Sequence, residues 1–152
     1  METLPSVIVR VVSSAEDRER AYAIRRRVFQ EEQGVPAQEE FDADDERAIH
    51  LVAETGGAAI GTGRIVFQPE YAKVGRMAVL PDWRRRGVGR ALLDEFIRIA
   101  TAHGAGRILL HAQVQAIPFY DALGFVIISE PFDEAGIAHR KMERRLRSEH
   151  EE

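Results

Sequence analysis

The chain has 152 residues, 45% hydrophobic and 30% charged, with a formal net charge of −4 and no cysteine. That length and balance suit a single globular domain spanning 1–152 with a core of its own, closed by a charged tail over about 147–152. The absent cysteine removes disulfides, thiolate metal sites and a cysteine nucleophile, and fits a reducing compartment. No apolar run approaches the roughly 20 residues that span a bilayer, and residues 1–12 lack the pattern of a signal peptide. The expectation is a cytoplasmic protein. The acidic balance disfavours a dedicated nucleic-acid binder, which usually carries a basic domain.

Val7 to Val12 is rich in β-branched residues and predicts a first strand. Ser13 or Ser14 can cap a helix from about Ala15 to Gln33, with Ala21, Ile24 and Val28 on one face and Tyr22 and Phe29 beside them. Gly34 and Pro36 end it. A loop from Ala37 to Arg47 follows, in which Glu39 to Glu46 holds six acids in eight residues. Such a run can be a solvated loop or can line an entrance for a cationic amine. It is not an EF-hand, because Glu46 and Arg47 stand where a ligand and a glycine are needed.

Ile49–Glu54 and Ala58–Phe67 predict two strands around a Thr55-Gly56-Gly57 turn. Pro69 breaks the run, and Val74–Leu80 predicts a fourth strand. A helix from Gly87 to about His103 carries Val88, Leu92, Phe96 and Ile99 on its apolar face, with Leu93 and Ile97 beside them. Arg90, Asp94, Arg98 and Thr101 form its wet face. Gly104 and Gly106 stop it. Arg107–Ala112 predicts a strand and Ala116–Leu123 a short helix, with Pro118 tolerated in its first turn. Phe125–Ser129 and Ile137–Leu146 predict a closing hairpin. The order β-α-β-β-β-α-β-α-β-β implies an α/β (α+β) domain. Its sheet is mixed and mostly antiparallel, of about seven strands, with helices on both faces and one parallel step across the second helix.

The junction before that second helix is the most informative stretch. Arg84-Arg85-Arg86-Gly87-Val88-Gly89-Arg90 places a basic, glycine-bearing turn at a helix N-terminus. There the first N–H groups lack partners and the helix dipole adds positive charge. Gly87 and Gly89 let a phosphate approach the backbone. No Gly-Lys-Ser/Thr follows, so it is not a Walker loop. Leu92 occupies the third small position of a dinucleotide fingerprint. A plain solvated turn remains the alternative on these residues alone.

Three motifs together resemble the Gcn5-related N-acetyltransferase (GNAT) family. Arg84-x-x-Gly87-x-Gly89 is similar to its acetyl-CoA pyrophosphate loop. Gly75-Arg76-Met77-Ala78-Val79 is similar to its fourth strand, and Phe119-Tyr120-Asp121-Ala122-Leu123-Gly124-Phe125 to its late helix motif. Phe29–Pro36, the acidic loop, His50, Ala112-Gln113 and Glu134–His139 resemble an ElaA-type or YjcF-type branch. The resemblance implies the acyl-CoA N-acyltransferase fold and transfer of an acetyl group from acetyl-CoA to a primary amine, on a small molecule or a protein, by direct attack. From the acidic charge balance, the lack of a long apolar run and the histidine spacing, no nucleic acid, membrane partner or metal is expected. The open sides of such a sheet can also pair two copies as a homodimer. A non-catalytic CoA- or acyl-CoA-binding sensor on the same fold is the alternative.

By the same resemblance, the backbone of Met77, Ala78 and Val79 would hold the pantetheine arm as an added strand. The Val79 N–H would face the developing oxyanion. Backbone N–H groups from Arg85 through Arg86, Gly87, Val88 and Gly89 to Arg90 would bind the pyrophosphate, with the Arg84 and Arg90 side chains assisting. Gln113 stands where the family often has asparagine, and would offer the cofactor the same groups on a longer arm. Tyr120 would donate a proton to the leaving thiolate, since a phenol near pKa 10 stays protonated beside a thiol near 8.5. Without the resemblance, Tyr120 would read as a packing residue. His111 is a candidate base in the right titration range, with His50, His139 and Glu32 as rivals, and water can replace a base altogether. The histidines lack metal-ligand spacing.

Overall fold

The structure is a computed structural model that describes residues 6–147, so the charged tail from 148 onward lies outside the described residues. In chain order the elements are β1 (Ile8–Val11), α1 (Ala15–Arg25), α2 (Ala37–Glu40), β2 (Ile49–Thr55), β3 (Ala58–Phe67), β4 (Ala72–Val79), α3 (Val88–Ala102), β5 (Arg107–Gln113), α4 (Ile117–Ala122), β6 (Val126–Ile127), β7 (Phe132–Glu134) and β8 (Ile137–Arg145). The strands form one eight-stranded sheet in the order β1-β2-β3-β4-β5-β8-β6, with β7 paired to β8. Every pairing is antiparallel except β4 with β5. The crossover through α3 makes that step parallel, as a strand–helix–strand unit allows.

Helices cover both faces. α1 starts at Ser14, whose hydroxyl accepts the Asp17 N–H at 3.0 Å. Ile24 and Val28 pack on Ala78, with Phe29, Ala59 and Leu80 around them. On the other face, α3 buries Val88, Leu92, Leu93, Phe96 and Ile99 against Leu51, Ile65, Val74, Ile108, Leu110 and Met142. Two glycines of β3 set how closely α3 approaches. A Cβ on Gly63 would lie 2.7 Å from Phe96 Cε2, and one on Gly61 2.9 Å from Val88 Cγ1. The helix therefore sits almost on the strand backbone.

Three expectations need correction. The first helix is α-helical only to Arg25; Arg26–Glu32 is a wider π-type segment. Its widening shows where the Gln33 N–H reaches back five residues to the Val28 carbonyl at 3.1 Å. One residue more per turn is invisible to an apolar period averaged over several turns. The segment Ala37–Arg47 is not a solvated loop. It folds into α2 and a single 3₁₀ turn over Ala43–Glu46, with Glu40 and Asp45 buried. Finally, the closing strands are not a simple hairpin: β7 forms the tight hairpin with β8, turning at Ala135-Gly136, while β6 pairs β8 further along.

What buries the acidic segment is arginine. Arg25, only 1% exposed, donates to Glu40 Oε1 at 2.6 Å and to Asp45 Oδ1 at 2.6 Å. Arg64 bonds Asp42 at 2.6 and 2.9 Å and Asp45 at 2.8 Å. Arg76 donates to the Glu40 carbonyl at 2.8 Å. The Arg25 guanidinium also lies 4.5 Å from the Phe41 ring centroid and 5.1 Å from that of Tyr22. The acids thus strap α1 to β3 and β4.

Candidate active site

The sheet opens where its strand direction changes. β4 and β5 pair through only two rungs, Ala72 with Ile108 and Lys73 with Leu109, and then diverge. β4 is also bulged: Thr62 faces Ala78 and Arg64 faces Gly75, so Arg76 and Met77 stand opposite Gly63 alone. Arg76 takes up the irregularity at φ +54. A bulge re-aims a strand, and here it turns β4 away from β5. The gap continues into a cleft of about 460 Å³ walled by Phe29, Gln33, Glu39, Glu40, Lys73, Met77, His111, Gln113, Tyr120, Glu134 and His139, among others. The π-type segment brings Phe29 and Gln33 to this wall.

Beyond the bulge, the Leu80 N–H bonds the Ile60 carbonyl at 2.9 Å. Bonded residues alternate along an antiparallel ladder, so the N–H and C=O of Val79 point to the open side. The Val79 carbonyl there accepts Arg84 Nε at 2.9 Å. The other two guanidinium nitrogens of Arg84 grip Glu32 at 2.7 Å each. The Arg84 side chain is thus a brace between β4 and the end of the first helix. Glu32 is held below the usual carboxylate range by that guanidinium, which weakens it as a base.

At the mouth of the gap, Gly87 caps α3 in a left-handed conformation at φ +85 with no side-chain cap. The first bond of the helical ladder runs from the Ala91 N–H to the Gly87 carbonyl at 3.0 Å. The N–H groups of Val88, Gly89 and Arg90 precede it and point out of the helix end. Arg85 sits at φ +63. Arg86 lies over the Trp83 ring at 5.2 Å, and Arg90 reaches Asp94 at 3.7 Å in solvent. A Cβ on Gly89 would come within 3.4 Å of Phe119 Cζ, so α4 packs directly against this turn.

Tyr120, on α4, projects into the cleft with its hydroxyl 3.9 Å from Met77 Sδ. Phe119 and Phe125 pack edge-on at 5.0 and 5.9 Å between ring centroids. Burial pushes its phenol up to about 12, so the group stays protonated at neutral pH. On β5, His111 bonds Glu134 Oε1 through Nδ1 at 2.9 Å. A carboxylate only accepts, so Nδ1 carries the proton and Nε2 is left as the basic nitrogen. The Glu134 carboxyl is held down at about 2, first by that hydrogen bond. His139 donates through Nδ1 to the Ile137 carbonyl at 2.7 Å and turns Nε2 toward Glu134 at 3.7 Å. Gln113 pairs with Gln33 at 3.0 Å and accepts from Gln115 at 2.6 Å, closing the far wall.

His50 lies outside the cleft walls. It is buried, its Nε2 donates to the Asp45 carbonyl at 2.9 Å, and burial pushes its pKa down. Met77, Tyr120, His111, Gln113 and His139 therefore meet at one cleft, with Ala78 and Val79 following on the same strand and the turn 84–90 beyond. Glu134 and Lys73 were missed. Glu134 carried a signal only through the short segment preceding Gly136. Lys73 carried one by rarity, being one of two lysines among 21 lysines and arginines. Among the described residues no cluster of three metal-ligating side chains occurs.

The cleft is lined on β4 from Lys73 to Met77, and the uncapped glycine start of α3 follows the end of that strand. The GNAT acetyltransferase domain matches residues 13–146 of this chain. The uncharacterized N-acetyltransferase YjcF of Bacillus subtilis is 36% identical over 133 residues, covering 87% of this chain and 95% of that protein. The crystal structure of Escherichia coli ElaA superposes with a TM-score of 0.83 at 25% identity, covering 92% of this chain and all of that one. An acyl-CoA N-acyltransferase from Pseudomonas aeruginosa shares the fold at a TM-score of 0.80 and 23% identity, over 93% and 99% of the two chains.

Proposed function

The chain belongs to the GNAT acetyltransferase family, and from that premise we propose that it moves an acetyl group from acetyl-CoA to a primary amine by direct attack within this cleft. That it is an N-acetyltransferase follows from the family; the acceptor class and the residue roles are our reading. The observation that carries it is the divergence of β4 from β5 after Lys73 and Leu109, with Val79 facing the gap and Tyr120 beside it.

Acetyl-CoA would supply an activated thioester. The backbone of Met77, Ala78 and Val79 would align the pantetheine arm as an added strand edge. The N–H groups of residues 85–90 would bind the pyrophosphate. Arg90, Arg85 and Arg86, which make no buried ion pair, add charge there. Arg84 contributes by fixing Val79 rather than through a free guanidinium. The Val79 N–H stabilises charge on the carbonyl oxygen.

Tyr120 gives its proton to the departing sulfur, and its raised pKa keeps that proton available. His111, held in one tautomer by Glu134, takes a proton from the acceptor nitrogen through Nε2. Gln113 shapes the acceptor side of the gap through its bond to Gln33. No acylated residue is needed, consistent with a cleft that lacks cysteine.

The test is thiol release from acetyl-CoA over a panel of primary amines, with acetylated product identified by mass. Product formation that falls with Tyr120→Phe and His111→Ala supports the assignment. Product formation untouched by both variants would remove these residues from the chemistry.

A further inference from the structure

Among the described residues, the cleft holds one cation that has been given no acid. Lys73 stands on the last paired rung of β4 with β5, at the point where the strands part, and its side chain lines the cleft. Every other cation on that wall is occupied. Arg64 is taken by Asp42 and Asp45, and Arg76 by Asp42 and the Glu39 and Glu40 carbonyls. The oxygens of Glu134, the acid whose field Lys73 feels most, are turned to His111 and His139. Among the described residues, the Lys73 ammonium makes neither an ion pair nor a hydrogen bond. It is half-buried, and burial pushes its pKa down. A partly desolvated charge without a partner is costly unless a ligand completes it.

We propose that the acceptor is a small amine bearing a carboxylate at its far end, and that Lys73 binds that carboxylate. This rests on the transfer reaction proposed above. The placement sets the geometry. Lys73 lies four residues before Met77, which the Tyr120 hydroxyl touches, a distance along the strand on the order of 13 Å. The lysine side chain spans part of it, so the carboxylate and the amine of the acceptor are separated by several bonds. A lone ammonium suits a single carboxylate; a phosphate dianion is more often met by a bidentate arginine. Glu39 and Asp44 on the same wall disfavour a purely anionic ligand and admit one that also carries an ammonium.

The test uses the scarcity of lysine. Protein labelled with ¹³C-lysine gives signals from two residues, Lys73 and the exposed Lys141. It is titrated with short straight-chain ω-amino carboxylates, with the matching alkylamines, and with ω-aminoalkyl phosphates. The Lys73 signal moves with the amino carboxylates and not with the alkylamines, while Lys141 stays still. In thiol release, Lys73→Met lowers kcat/KM for amino carboxylates about ten- to a hundred-fold, as loss of a charge-assisted contact does, and leaves alkylamines unchanged.

A Lys73 signal that ignores the amino carboxylates, or that answers only the phosphates, overturns the proposal. So does an equal loss for both amine classes in Lys73→Met. Because the lysine signal reports binding without turnover, a Lys73 response with no thiol release from any amine would count against the transfer reading and leave the carboxylate site standing.

Discussion

Replacing Arg25 with alanine should destabilise this protein more than most single changes, and the structure fixes why. Arg25 makes four hydrogen bonds, two of them to the Asp45 carboxylate and two to the side chain and carbonyl of Glu40. Without it, Asp45 keeps Arg64 at 2.8 Å. Among the described residues, Glu40, only 2% exposed, keeps only Arg76 at 3.8 Å, and its Oε2 already lacks a partner. Breaking a buried ion pair from one side costs about 3–5 kcal/mol, a large part of the roughly 5–15 kcal/mol that holds a domain together. With a urea slope of about 2 kcal/mol per molar, the midpoint should fall by about 2 M.

The same variant has a signature in acid. In the wild type, Asp45 sits at about 2 against an ordinary 3.8. The shift is opposed by burial and set by the hydrogen bonds and charge of Arg25, with Arg64 adding to it. A depressed pKa stabilises the fold above 3.8 and loses that contribution as pH falls toward 2; its worth at neutral pH is about 2 kcal/mol. Arg25→Ala should therefore lose stability less steeply between pH 4 and 2 than the wild type does. A urea midpoint lowered by less than about 0.5 M would contradict this role of Arg25, because Glu40 and Asp45 would then have found water that the structure denies them.

Other consequences can be checked with the same protein. Tyr120→Phe should lower turnover by about 10²–10⁴-fold, the usual worth of a positioned acid, with CoA affinity unchanged by calorimetry; wild-type turnover would return Tyr120 to a packing role. Gly63→Ala should lower thermal stability by about 1–3 kcal/mol through overpacking, since its methyl would press on the Phe96 ring at 2.7 Å; an unchanged melting temperature would mean α3 can lift from the sheet without loss. The wild type should melt at lower temperature as pH drops below the ordinary carboxylate range. Asp17, Asp42 and Glu54, like Asp45 and Glu134, are all held down by partners, and a flat profile from pH 5 to 2.5 would contradict those pairings.

The sheet and its two long helices were legible because their signals are periodic. Alternation and turn residues marked β2 and β3, and Val88, Leu92, Phe96 and Ile99 recur at helical spacing on α3. The glycine turn that starts α3 was legible from Arg84 to Arg90 because glycine and helix start coincide there. Long-range pairing was not legible. Nothing local to Arg25 indicates that it will meet Glu40 and Asp45, and an acidic run in isolation looks solvated. Arg84 looked like a ligand-facing cation, yet its partner Glu32 lies 52 residues away. The π-type turn and the β4 bulge each add a residue without changing composition. These irregularities are what open the cleft and bring Phe29, Gln33 and Met77 to it.

Whether the β4–β5 gap and the start of α3 hold acetyl-CoA is read from calorimetric titration of the purified protein with CoA beside a Gly87→Glu variant. One saturable site is expected in the wild type and none in the variant, whose side chain would put bulk and negative charge against the N–H groups of Val88, Gly89 and Arg90 at a φ of +85. Equal affinity in the two proteins, or no binding by a folded wild type, would contradict that placement of the cofactor.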